Sequence, residues 1–171
     1  MEPRIVHREQ LLLLGLSFYG DPFQSSAGWT EENEIGRLWK RFTVFLENYK
    51  NLLPQIVNPT ASYEVHIESD ERVVTGNYEI FVGVAIQQIK QLPVTTLVKV
   101  LPATDYAVFT LQGEQIISDW HKLIYVDWLP QSGYEFAYDY SFQLYDHRFK
   151  GLDNLAESTL DVYMPVRKIA S

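Results

Sequence analysis

The chain contains no cysteine in its 171 residues, which excludes a disulfide framework and any thiolate metal site. Histidine is scarce too. His7, His66, His121 and His147 have no mutual spacing suited to a metal, so no metal site is expected. No apolar run nears the length of a membrane span, Leu11 to Leu14 being far too short. The first residues lack a signal peptide's apolar core and cleavage site, so the expected location is cytoplasmic. Basic residues are few, 14 Lys and Arg against 22 Asp and Glu, for a net charge of −8. Direct nucleic-acid binding is therefore not expected, because it requires cationic side chains to displace phosphate counterions. A cationic ligand or a basic partner suits that balance better. There is no Gly-x-Ser-x-Gly elbow, no phosphate-binding glycine loop and no cofactor motif. Asp105, Asp119 and Asp127 pair with no nucleophile.

What is present is an internal echo. Leu14 to Gly20 and Ala107 to Gly113 are strand-like runs ending in glycine before a helical pattern. Matched strands follow, Ser62 to His66 and Ser141 to Tyr145, and a second matched pair closes each half, Tyr78 to Val84 and Leu160 to Val166. The order strand–helix–strand–strand thus occurs twice, within about residues 5–90 and 95–168, in one domain spanning 1–171. An α+β fold with pseudo-two-fold symmetry is expected, and the seam between repeats is a natural ligand site.

The first helical pattern carries Ile35, Leu38, Trp39, Phe42, Phe45, Leu46 and Tyr49 on one apolar stripe, with Thr30 as expected cap and Pro54 and Pro59 beyond its end. The second is a shorter stripe of Ile116, Ile117, Trp120, Leu123 and Ile124. Trp39 and Trp120 are expected to pin these helices to the sheet. Strand alternation divides Tyr63, Val65 and Ile67 from Ser62, Glu64, His66 and Glu68. It likewise divides Phe142 and Leu144 from Ser141, Gln143, Tyr145 and His147. The apolar sets are expected under the helices and the polar sets along water or a groove. Phe81 and Tyr163 fall opposite the greasier set of the closing strands, where they read either as pocket aromatics or as second-layer core. Glu64 reads either as a site carboxylate or as an ordinary solvated one.

Several segments, in order along nearly the whole chain, resemble the GyrI-like small-molecule-binding family, the effector-binding domain of AraC- and MerR-type multidrug regulators in bacteria. They are Ile35 to Trp39, Tyr78 to Gly83, Tyr106 to Phe109, Trp128 to Tyr134, Phe142 to Asp146 and Val162 to Val166. The Trp128-Leu129-Pro130-Gln131-Ser132-Gly133-Tyr134 element followed by Phe142-Gln143-Leu144-Tyr145 is the most specific combination. The resemblance implies duplicated strand–helix–strand–strand units forming one antiparallel sheet, with two helices on one face and a concave pocket on the other. It also implies a stand-alone module that binds or senses a bulky hydrophobic or cationic aromatic molecule. The expected ligand-binding residues are Glu64, His66, Phe81, Trp128, Gln143, Tyr145 and Tyr163. Drug-binding members carry a glutamate where this chain has Gln143, so here the counter-charge falls to Glu64 or the ligand is neutral. Two further readings come from the same family: a hydrolase of cyclopropane-containing electrophiles working through Glu64 and Tyr145, and a gyrase-inhibitor-like module that binds a protein partner.

Overall fold

Two faces of every strand must be covered or solvated, and in the computed structural model, which describes residues 2–170, a curled sheet solves this. In chain order the elements are β1 (Arg4–Arg8), β2 (Leu11–Gly20), α1 (Glu34–Asn48), β3 (Ser62–Ile67), α2 (Arg72–Thr75), β4 (Tyr78–Ala85) and β5 (Leu97–Leu101). Then come β6 (Thr104–Gln112), a one-turn α3 (Trp120–Lys122), β7 (Tyr134–Phe136), β8 (Tyr140–Tyr145) and β9 (Thr159–Lys168). The strands pair antiparallel in the order β1-β6-β9-β8-β3-β4-β2-β5, with β7 added to β9.

That order is symmetric about the β8–β3 junction. There β3 answers to β8, β4 to β9, β2 to β6 and β5 to β1, and Glu64 sits opposite Gln143 in register. The duplicated α+β architecture is as expected. Each half's leading short strand has crossed to the edge of the other half, β1 onto β6 and β5 onto β2. Only two residues join β1 to β2, a reach of about 11 Å. A flat sheet would set those strands roughly 29 Å apart, six steps of about 4.8 Å. The sheet therefore curls until its edges approach.

The interior of the curl is filled by Tyr63, Val65, Phe81, Tyr106, Phe142 and Tyr163, with residues of both edge regions such as Val6 and Leu101. Outside it, Leu38, Phe42 and Phe45 of α1 pack on Leu14, Ile80, Val82 and Val84. Ile116, Trp120 and Ile124 pack on Ala107, Phe109, Val162 and Met164. This inverts one expectation. Tyr63, Val65, Phe142 and Leu144 point into the curl and not under the helices. The helices pack on the flanks of the sheet, over β2–β4 and β6–β9, and only side chains at their edges, such as Trp39, reach over the central β3–β8 pair. The groove over that pair consequently lies between the helices, on their own face, and not on the opposite one.

Local chemistry shifts the helix boundaries. Asn33, not Thr30, caps α1: its side-chain oxygen accepts from the Gly36 N–H at 2.9 Å, and its amide donates to the Gly28 carbonyl at 2.8 Å. The helix ends at Asn48, and Pro54 falls in a separate 3-10 stretch, Lys50–Gln55. The second helical stripe is broken. Asp119 starts a new turn by accepting from the Lys122 N–H, and Leu123–Trp128 continues as a π-helix. Ile117 is left 44% exposed. Among the described residues no helix is long and apolar enough to cross a membrane.

Candidate functional site

Alternation on the two central strands puts Glu64 and His66 of β3 beside Gln143 and Tyr145 of β8, all facing the gap between α1 and the Asp119–His121 turn. The gap is a groove of about 1320 Å³. Its α1 wall is the row Ile35, Trp39 and Thr43, and the loop held by Asn33 brings Trp29 to its rim.

Glu64 is the pivot. It is 3% exposed, and an unpaired charge so buried would be costly. The indole Nε1 of Trp39 donates to Oε2 at 2.5 Å, and His66 Nε2 lies 2.7 Å from Oε1. A carboxylate oxygen only accepts, so the His66 nitrogen is the donor. The Tyr145 ring meets Trp39 edge-on at 4.8 Å, and its hydroxyl donates to Gln143 Oε1 at 2.8 Å. Burial, and then the negative charge of Glu64, push the Tyr145 phenol far above its ordinary range, so it stays protonated. Five carboxylates line the groove (Glu31, Glu47, Glu64, Asp119, Asp146) against two permanent cations, Lys40 and Arg72. Arg72 is turned onto Glu68 and the Tyr78 ring, and Asp146 is gripped by Arg148. Among the described residues no group of three or more acidic or imidazole side chains is placed to hold a metal.

His121 forms part of the rim, stacked on Trp120 at 3.8 Å. Loss of hydration, reinforced by His66 and Arg72 and opposed by Asp119 and Glu68, lowers its imidazole to about 4 from 6.5. The folded protein thus disfavours the imidazolium, and the unfolded chain binds the proton first. His121 as a whole remains exposed, so solvent tempers the effect, and stability should fall only modestly as pH drops from about 6.5 towards 4. Melting curves across that window should flatten in His121→Asn, and parallel curves for the two proteins would show the ring to be solvated.

Four of the seven expected site residues converge here: Glu64, His66, Gln143 and Tyr145. Phe81 and Tyr163 do not, being 0% and 4% exposed inside the curl, because their neighbours Val82 and Val162 take the helix-facing positions. Tyr163 stacks on Phe142 at 4.5 Å instead. Trp128 is also elsewhere. It packs edge-on against Phe109 at 5.2 Å and stacks on Tyr134, beside a smaller cleft of about 580 Å³ near Glu2 and Asp127. Trp39, read as core, proves half-buried and central to the groove. Its signal was available in the sequence: it shares a row with Thr43 at the edge of the apolar stripe, where a fully buried helix face would carry no hydroxyl.

A curled antiparallel sheet flanked by two helical segments, with an acid-floored groove over its symmetric seam, defines a small-molecule effector-binding domain. The chain belongs to the family of integron-associated effector binding proteins, Cass2, which matches residues 4–166. It is 29% identical over 168 residues to the transcriptional regulator BrlR of Pseudomonas aeruginosa, covering 97% of this chain and 56% of that protein. The chain therefore spans little more than half the length of this curated relative. The structure of SAV2435 bound to tetraphenylphosphonium has the same fold, with a TM-score of 0.68 and 16% identity over 98% of this chain and 94% of the other. So does the integron cassette protein VCH_CASS2 of Vibrio cholerae, with a TM-score of 0.60 and 17% identity over 98% and 97% of the two chains.

Proposed function

We propose that the inter-helical groove binds a bulky aromatic cation and that the chain acts as a non-catalytic binding or sensing module. The observation that carries this reading is the Glu64 carboxylate, buried at the floor of a groove walled by Trp39, Tyr145 and Trp29. Aromatic faces attract cations, and a desolvated carboxylate adds a charge term that water screens little. Both Glu64 oxygens already accept hydrogen bonds from Trp39 and His66, which favours a fixed counter-charge over a general base. Tetraphenylphosphonium bound to a protein of the same fold supports the same ligand class.

Tetraphenylphosphonium is accordingly the first probe. Titrated into the wild type it should bind saturably, and Glu64→Gln should weaken it by about 1–3 kcal/mol, roughly 5- to 150-fold. The glutamine still accepts from Trp39, so the melting temperature serves as a control for folding. Equal affinity of both proteins for the cation would remove Glu64 from recognition.

A further inference from the structure

We infer, building on that reading, that Gln143 narrows the ligand class: the groove takes an aromatic cation with a hydrogen-bond acceptor beside its charged centre, in preference to an onium ion without one. Gln143 is 4% exposed and directly opposite Glu64 in the β3–β8 pair. Its carbonyl oxygen is taken by the Tyr145 hydroxyl at 2.8 Å. That contact sets the amide with its oxygen towards Tyr145 and its nitrogen away from it, and burial and the nearby Glu64 keep the phenol protonated. The amide nitrogen donates to no protein group among the described residues. It is also not sealed from solvent, because the one fully enclosed, unpartnered side-chain polar atom among them is Gln55 Oε1. The nitrogen opens into the groove that Gln143 lines.

A negative acceptor and a neutral N–H donor thus stand side by side on the groove floor. Facing side chains in an antiparallel pair start about 5 Å apart at their Cβ atoms. A ligand serving both groups places an ether, hydroxyl or amide oxygen within two or three bonds of its ammonium nitrogen. A tetra-arylated onium satisfies Glu64 alone. It strips water from the Gln143 amide and leaves the N–H unpaired, and such a loss costs more than a bond of equal strength returns. Sites built around a fixed polar partner reject analogues lacking the matching group for this reason. Arg72 does not compete for the acceptor, since its guanidinium is engaged by Glu68 and the Tyr78 ring.

Two naphthyl-ethyl dimethylammonium probes test this, one with a hydroxyl on the carbon next to the aminomethylene group and one deoxy, each titrated calorimetrically near neutral pH beside tetraphenylphosphonium. The wild type should bind the hydroxylated probe roughly tenfold more tightly than the deoxy one. Gln143→Met, similar in length but lacking N–H, should bring the two to the same affinity, and Gln143→Leu should do likewise. Glu64→Gln should weaken both and leave their ratio unchanged. Equal binding of the two probes by the wild type overturns the inference, as does a preference that survives in a folded Gln143→Met protein. If cations bind in a Glu64-dependent way without that preference, only this inference falls. If none of the three cations binds, the proposed function falls with it.

Discussion

Phe142→Ala should cost about 3–5 kcal/mol of stability and lower the melting temperature by roughly 6–20 °C. The ring sits at the centre of the curl, fully buried, stacked on Tyr163 at 4.5 Å. Tyr106 and Tyr63 close around it at 5.4 and 5.6 Å. The lining comes from both halves of the sheet and cannot relax into the void. The Tyr106 hydroxyl is tied to Tyr140 at 2.7 Å, and Arg8 donates to Tyr163 at 3.1 Å while its guanidinium lies over the same ring. Each tether holds a ring in place around the missing one. Thermal and urea unfolding measure the effect. A loss below about 1 kcal/mol would mean that the curl interior collapses freely and is not the close-packed core described above.

Gly15→Ala should be nearly as damaging, by a different mechanism. Gly15 and Gly83 face each other in the β2–β4 pair. A Cβ on Gly15 would lie 2.0 Å from the Val82 carbonyl oxygen and 2.6 Å from the Gly83 Cα. Both obstacles are backbone, so no side-chain rotation relieves them, and the two strands must part in the middle of the sheet. A cost of about 3 kcal/mol or more is expected. Gly133→Ala makes the contrast, because its φ of +72° is strained for alanine but nothing lies within 4 Å of the new methyl. It should cost only about 1–2 kcal/mol. Similar losses in the two variants would show that backbone strain, and not the close approach of β2 to β4, governs the first.

The glycine pair also shows where the two halves diverge. In the second half the matching strands pair Val108 with Tyr163, whereas in the first the Phe81 ring folds over the bare backbone of Gly83. Such substitutions keep identity between the halves low while the order of elements persists, and it was the order that the sequence displayed. Runs such as Leu14 to Gly20 and Tyr78 to Val84 could be recognised because β-strand patterning is local. So could the stripe of Leu38, Phe42 and Phe45, and so could the grouping of Glu64 with His66 and of Gln143 with Tyr145.

Which of its two faces a strand turns to the core is not local. A period of two separates Tyr63 and Val65 from Glu64 and His66 but is silent on which set is enclosed. The two-residue β1–β2 and β5–β6 links settle it, by drawing the edges of the sheet together around the aromatic set. That closure sends Phe81 and Tyr163 inward and leaves the polar set over the seam. Trp128 was drawn away by Phe109, a partner nineteen residues distant that no short motif reveals. Trp39 moved the other way, from expected core to groove wall. A helix stripe has edges as well as a centre, and its edge residues meet whatever the gap between two helices contains. The residues on the groove floor were therefore written in the chain, while their assembly into one acid-floored groove depended on the curl that closes beneath them and the two helical flanks that stop short of the seam.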